Sequence, residues 1–355
     1  HNPPEYNGVK IIEPDGTEMG DEETVKLEQI HFSRMFSPVP WDKAGTETSS
    51  PDLITHYIRG IISSFPPGIG NGMTVVVDPG SGPACLTTAK ILTAMGCKVI
   101  TINAVMDGTF PGRMPEPSAE GLHHLAELVV SSGAAFGVAH DGDADRAVFI
   151  DNQGRFVEEN QEFALVARHI CRKEPGIIVT PVSTGQIVEI VARMEQSEVV
   201  YTPVGSIYVA RKMRSLIEHG KPVIFGGEGN GGLIFPSHQF CRDGGMTAAT
   251  MVAILAAEQK SLSELLSRLP DRFIIKDKLK TPHGTQILES LKTIYSSEKT
   301  DQTDGLKIFR KNSWGLVRAS GTEPIIRIIV DADDKNNGTA LYQEIRSHVL
   351  KSGQV

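Results

Sequence analysis

Asp141-Gly-Asp143-Ala-Asp145-Arg146 sets three carboxylates at alternate positions directly after the apolar run Phe136–Ala139. If the chain curls here, all three side chains can reach one hard cation. A small set of oxygen donors suits Mg²⁺, which keeps several waters and commonly serves a phosphate. A purely structural calcium loop has no use for Arg146, whereas a guanidinium beside a metal suits a dianionic phosphate. An EF-hand is excluded, because its sixth position wants Gly and its twelfth Glu, and the chain has Arg146 and Asn152 there. The aspartyl-phosphatase pattern fails as well, since it meets Asp145 where it wants Thr or Val. The plain alternative is a polar turn between two strands.

Two further loops carry groups of the same kind. Arg318-Ala-Ser320-Gly321-Thr322-Glu-Pro-Ile-Ile-Arg327 combines two hydroxyls, a glycine that opens backbone N–H groups, and two arginines. These are the parts of an anion nest, and arginine can bond phosphoryl oxygens in bidentate fashion; a hairpin with solvated arginines is the alternative. Gly226-Gly-Glu228-Gly-Asn230-Gly-Gly232 contains G-x-G-x-x-G by letter, but a dinucleotide fingerprint must open a helix. Leu233-Ile-Phe-Pro236 follows instead, so that reading is rejected. Glu228 as acceptor and Asn230 as donor and acceptor suit neighbouring sugar hydroxyls, and a flexible turn is the alternative. Asp78-Pro-Gly-Ser-Gly-Pro83 reads as a tight strand-to-helix turn, and His123 and His124 as surface or packing residues.

The elements that must hold these loops follow from periodicity. A strand is expected over Val9–Ile12, a helix over Asp21–Phe32, and a linker over Ser37–Pro51. A βαβ unit follows, with strand Met73–Asp78, helix Pro83–Met95 and strand Cys97–Ile102. Helix 117–130 then leads to strand Ala135–Ala139, the acidic loop and a strand from Ala147. Helices Glu159–Arg172, Gly185–Met194 and Ile207–Glu218 alternate with strands Gly176–Thr180, Val199–Thr202 and Val223–Gly226, which implies mainly parallel sheets. Helix Met246–Gln259 ends this unit. After helix Ser261–Arg268 the order changes to a small α+β domain. Its strands are Arg272–Leu279, Leu306–Arg310, Gly315–Arg318 and Ile325–Asp331, and its helices lie near Gly284–Tyr295 and Gly338–Lys351.

With 355 residues, more than one core is expected. The net charge of -8 argues against nucleic-acid or membrane-surface binding. The four cysteines lack a C-x-x-C pair and read as core thiols of a reducing compartment. No apolar run is long enough to span a bilayer and no signal peptide is visible, so a cytoplasmic location is expected.

Taken in order, these loops resemble those of the α-D-phosphohexomutase superfamily nearly end to end. His1-Asn-Pro-Pro-Glu-Tyr-Asn-Gly-Val-Lys10 resembles the family's active-serine loop, T-A-S-H-N-P-x-x-x-N-G-x-K. Asp141-Gly-Asp-Ala-Asp-Arg146 resembles its metal loop, Gly227-Glu-Gly-Asn-Gly231 its sugar loop, and Arg318-x-Ser-Gly-Thr-Glu-Pro-x-x-Arg327 its phosphate loop. The resemblance implies repeated three-layer α/β/α domains with mixed sheets and a C-terminal α+β domain around a central cleft. Residues 1–46 would be the tail of the first domain, 47–153 the second, 154–260 the third and 261–355 the fourth. The phosphorylated serine is expected immediately before His1.

The implied activity is interconversion of hexose 1- and 6-phosphates through a phosphoserine and a hexose 1,6-bisphosphate such as glucose 1,6-bisphosphate, with Mg²⁺ as cofactor. Asp141, Asp143 and Asp145 would hold the metal, with His1, Lys10 and Arg146 as catalytic residues. Lys10, near other cations, is expected to lose its proton near neutral pH and move the hydroxyl proton. Glu228 and Asn230 would grip the sugar, while Arg318, Ser320, Gly321, Thr322 and Arg327 hold the idle phosphate. Glu-Gly-Asn-Gly-Gly in the sugar loop, and Ser206 where several relatives carry His, leave glucosamine, mannose and glucose open, with the first two favoured. A metal-dependent sugar phosphatase and a non-catalytic sugar-phosphate sensor are the competing readings. No nucleic-acid or membrane partner is expected, and oligomeric state is not legible.

Overall fold

The structure is a computed structural model that describes residues 8–50, 52–320 and 324–353. In chain order it contains α1 (Asp21–Ser33), α2 (Asp52–Ile62), β1 (Thr74–Asp78), α3 (Thr88–Ala94), β2 (Lys98–Thr101), α4 (His123–Ser132), β3 (Phe136–His140) and β4 (Ala147–Asp151). Next come α5 (Glu159–Lys173), β5 (Ile177–Pro181), α6 (Gln186–Met194), β6 (Glu198–Thr202), α7 (Ser206–Glu218), β7 (Val223–Glu228), β8 (Gly232–Ile234), α8 (Gly244–Glu258) and α9 (Leu262–Leu266). The last stretch holds β9 (Phe273–Lys280), α10 (Gly284–Ile294), β10 (Thr300–Asp301), β11 (Leu306–Phe309), β12 (Ser313–Ala319), β13 (Ile325–Ala332) and α11 (Lys335–Ser352).

Contacts divide the chain into two compact units, the first comprising the residues up to Val157 together with Gly232–Ser263. Its sheet runs β2-β1-β3-β4, with β1 parallel to both β2 and β3 and β4 antiparallel to β3. Val75, Val76 and Val77 are wholly buried, as expected of an inner strand covered on both faces. Val76, Ala139, Val148 and Ile150 pack on Leu125 and Val129 of α4, while α2, α3 and α8 pack on one another as a further layer. Helix α8 is buried over Gly244–Leu255, and the Asp243 carboxylate caps it by accepting from Met246 N.

The second unit comprises Glu158–Gly231 and the residues from Glu264 onward. Parallel strands β6-β5-β7 are flanked by α5, α6 and α7. A second, wholly antiparallel sheet runs β10-β11-β12-β13-β9. Burial alternates along the first part of β13, whereas β12 is buried on both faces from Ser313 to Val317. Val317, Ile326, Ile328 and Val330 face α10 and α11, while Trp314 and Leu316 face Val182 and the β6 region.

The mixed α/β architecture is the one expected, with local differences. Val9–Ile12 is not a strand: Ile12 bridges Glu18 alone among the described residues, and Val9 is exposed, so no ladder supports it. The helix expected over Pro83–Met95 is a short 3₁₀ turn, Pro83–Leu86, followed by α3. The break falls at Thr87, just where the buried Thr88 hydroxyl engages His140 across the fold. The helix expected from residue 117 begins only at His123, after a 3₁₀ turn at Glu120–Leu122. No helix among the described residues is long and apolar enough to cross a membrane.

Lys307 on β11 is buried, its ammonium donating to Val182 O at 2.7 Å and lying 3.8 Å from the Trp314 ring centroid. Burial pushes it down to about 8, although Asp301, Asp331 and Glu189 pull the other way. The unfolded chain therefore holds this proton up to higher pH than the native state does, so stability from this group rises with pH between about 8 and 10.5. In denaturant titrations Lys307→Met should remove that rise, worth on the order of 3 kcal/mol, relative to the native protein.

Candidate active site

The acidic loop is held at both ends by one histidine. His140, the last residue of β3, is wholly buried, with Nδ1 2.9 Å from Arg146 O and Nε2 3.0 Å from Thr88 Oγ1. A carbonyl can only accept, so Nδ1 carries the hydrogen and Nε2 accepts from threonine. Burial pushes His140 down to about 4, and the ring stays neutral near pH 7. Inside this clasp Arg146 N donates to Asp141 Oδ1 (3.1 Å), and Ala144 turns the chain with φ of 65°. A non-glycine residue in the left-handed region costs about 1–2 kcal/mol, so the surroundings must enforce it.

Those surroundings come from three directions. Arg113 is buried, donating from Nη2 to His140 O (2.6 Å) and from Nε to Asp78 Oδ2 (2.9 Å), which ties the ends of β3 and β1 together. Glu116 pairs with Arg146 at 3.3 Å. From below, the α8 start is so close that a Cβ on Gly244 would lie 2.5 Å from Arg146 O and 2.8 Å from Ala144 O.

One carboxylate oxygen from each of Asp141, Asp143 and Asp145 lies within 4.8 Å of the others. Asp141 Oδ2 and Asp145 Oδ1 are buried and accept no hydrogen bond among the described residues, with the Arg146 guanidinium 3.4 and 3.9 Å away. Lys10 Nζ donates to Asp143 Oδ2 (2.9 Å) and Asp145 Oδ2 (3.0 Å). Arg242 Nη2 donates to Asp145 Oδ2 at 2.6 Å. Clustered hard oxygens with orphaned lone pairs fit a divalent cation such as Mg²⁺. Burial, and then the charges of Asp145 and Asp143, push the Asp141 carboxyl up. For Asp143, burial is outweighed by the Lys10 ammonium, and its carboxyl is held down. The direction expected for Lys10 is reversed. Its neighbours here are carboxylates rather than cations, so the ammonium is held above its usual range although burial alone would lower it.

Within the second unit, Glu228 is buried at the end of β7, and the chain passes Asn230 before β8. A Cβ on Gly229 would lie 2.2 Å from Asn160 Oδ1, so a larger residue there would displace the Asn160 side chain of α5. Asn160 in turn donates to Glu158 Oε1 (2.7 Å), which receives Lys276 of β9 at 3.3 Å. That chain of contacts links the glycine loop to the antiparallel sheet.

On that sheet Arg318 and Arg327 are register partners, and Arg327 is opposite Lys278 on β9. Directly paired residues share a face, so three cations stand in a row across three strands, which is unfavourable without anions nearby. Asp304 supplies one, accepting from Arg318 Nε at 2.9 Å and from Val204 N at 2.8 Å. Ser320 N bonds Ile325 O at 2.9 Å. His1, Gly321 and Thr322 lie outside the described residues.

Sequence reasoning missed Arg242, Arg113, Glu116 and His140. Only His140 carried a local signal, as a polar residue closing an apolar strand next to the acidic triplet. Two outcomes are expected for the clasp. Nitrogen-resolved NMR should show His140 as the neutral Nδ1–H tautomer, without titration between pH 5 and 8. His140→Ala, which leaves buried partners unsatisfied, should destabilise the protein by about 1–3 kcal/mol in denaturant titration.

Three domain models of phosphoglucomutase/phosphomannomutase match the chain. They are α/β/α domain II over residues 55–154, α/β/α domain III over 158–273 and the C-terminal domain over 272–348. A phosphoglucomutase/phosphomannomutase of Thermococcus kodakarensis is 42% identical over 99% of this chain and 77% of its own length. A phosphoglucosamine/phosphogalactosamine mutase of Sulfurisphaera tokodaii is 37% identical over 98% of this chain and 78% of its own. The crystal structure of a phosphoglucomutase/phosphomannomutase family protein from Burkholderia thailandensis shares the fold with a TM-score of 0.85 at 23% identity, covering 99% of this chain and 74% of that one. With the acidic loop and the arginine-bearing strands falling inside the matched domains, the chain belongs to the phosphoglucomutase/phosphomannomutase family.

Proposed function

We propose that this chain is a phosphohexomutase, moving a phosphoryl group between the 1- and 6-positions of a hexose by way of a phosphoserine and a hexose 1,6-bisphosphate. The observation that carries the reading is the acidic loop: three converging carboxylates, two of their buried oxygens without a hydrogen bond among the described residues, beside Lys10 and Arg146. Asp141, Asp143 and Asp145 would hold Mg²⁺, which when bound neutralises charge on the phosphoryl oxygens. Phosphoryl transfer asks mainly for positioning and charge neutralisation, and few covalent steps fall to the protein.

Arg146 steadies phosphoryl oxygens from its clasped position. Lys10, kept protonated by Asp143 and Asp145, serves first as a proton donor and electrostatic partner to the oxygen that leaves phosphorus. On the second unit, Arg318, Arg327 and Lys278 form a cationic row suited to the phosphate that is not reacting. Ser320, with Gly321 and Thr322, completes that anion site. Glu228 and Asn230 hold sugar hydroxyls, and a buried carboxylate at Glu228 also suits the ammonium of an amino sugar. Hexose phosphates are therefore the proposed ligands, with glucosamine and mannose phosphates ahead of glucose phosphate.

Glucosamine, mannose and glucose 1-phosphates, each supplied with Mg²⁺ and a trace of the matching 1,6-bisphosphate, should yield 6-phosphate in the protein that carries its phosphorylatable serine. Asp143→Ala should lower turnover on the order of 10²–10³-fold with every sugar. Arg327→Ala should chiefly raise KM, roughly tenfold or more. Free phosphate without isomer would contradict the mutase reading, and unchanged turnover in Asp143→Ala would contradict the metal assignment.

A further inference from the structure

We infer that Arg242 is a positioning residue for the acidic loop, locking Asp145 in the orientation in which it ligates a divalent cation. The inference rests on the metal reading above and adds a residue to it. Arg242 Nη2 meets Asp145 Oδ2 at 2.6 Å, and the two side chains are 8% and 16% exposed. Lys10, which shares the same oxygen, is 49% exposed, and its flexible stem leaves it a loose constraint. The other oxygen, Oδ1, is buried, accepts no hydrogen bond among the described residues and stands 3.9 Å from Arg146 Nε. Asp145 is thus gripped on one oxygen and left available on the other.

The grip is rigid because the backbone on either side of Arg242 is pinned. Arg242 bridges Ile234 across an antiparallel contact, and Asp243 N donates to Leu233 O at 2.9 Å. The Asp243 carboxylate accepts from Tyr57 Oη (2.6 Å), Gln239 Nε2 (2.7 Å) and Met246 N (2.8 Å). A guanidinium mounted on so fixed a stem transmits that rigidity to its partner. Asp145 needs it: the carboxylate follows Ala144, held at φ of 65°, and borders a cavity of about 240 Å³ into which it could otherwise swing. Residues that orient a metal's carboxylate without touching the metal commonly set affinity by about 10–100-fold.

The test uses Mn²⁺ as the probe, with free ion counted by electron paramagnetic resonance in titrations of the wild type, Arg242→Gln and Arg242→Lys. Arg242→Gln should bind Mn²⁺ about 10–100-fold more weakly while still unfolding in one cooperative thermal transition, at a lower midpoint because Asp145 loses a buried partner, and raised Mg²⁺ should restore its turnover, which metal could not do for a misfolded protein. Arg242→Lys keeps the charge but loses the planar fork and should bind about tenfold more weakly. It decides the matter if the glutamine variant does not fold. Wild-type affinity in either folded variant, or tighter binding, overturns the role of Arg242 and leaves the metal reading intact. Absence of Mn²⁺ binding by the wild type overturns both.

Discussion

Three carboxylates on one six-residue turn repel one another, and most of the first unit can be understood as the means of holding them together. Buried carboxylates are costly unless paired or bound to metal. The fold answers with Lys10, Arg146 and Arg242 around the triplet, and with a neutral histidine that closes the loop without adding charge. Arg113 and the glycine at the start of α8 then fix the strand end and the floor. Even so, among the described residues two carboxylate oxygens stay without a hydrogen-bond donor. A loop so heavily braced yet incompletely satisfied is built to take a cation.

The second unit shows the opposite electrostatic problem. Arg318, Arg327 and Lys278 lie side by side across β12, β13 and β9, with Asp304 at one edge of the row. An antiparallel sheet enforces that neighbourhood by register alone, because directly paired side chains share a face. The row therefore comes ready for an anion. Trp314 and Leu316, on the same face, pack it against the β6 region, so the cationic row is mounted on a hydrophobic footing. The glycine loop is tied to the same sheet through Asn160, Glu158 and Lys276. One unit thus clusters carboxylate oxygens, which the proposed function assigns to a divalent ion, and the other clusters cations, which it assigns to phosphate.

Alternation of apolar runs made the strand–helix order readable, and the alternate spacing of the three aspartates made their convergence readable. The fourth region was legible as short apolar strands set between two helices, although β12 is buried on both faces over Ser313–Val317 and only the first part of β13 alternates. What escaped was tertiary in origin. Arg242 lies 97 residues from Asp145, and nothing local distinguishes it from a surface arginine. Lys307 lies inside a strand that was legible, but its burial over Trp314 was not. The helix break falls at Thr87, beside the Thr88 hydroxyl that reaches His140, a contact no propensity encodes. The sense of the Lys10 shift depended on which charges stood nearest, and these proved to be Asp143 and Asp145. Residues Gly232–Ser263 follow the second sheet in sequence yet pack with the first unit, because α8 is buried there beside α2 and α3.

The central claim is that the aspartate turn gathers one divalent cation. Crystals equilibrated with Mn²⁺ and measured for anomalous scattering near the manganese edge test it directly. The account predicts a single strong peak within bonding distance of Asp141, Asp143 and Asp145, lost in Asp143→Ala. A map without density there, or with its strongest peak on other residues, would contradict it.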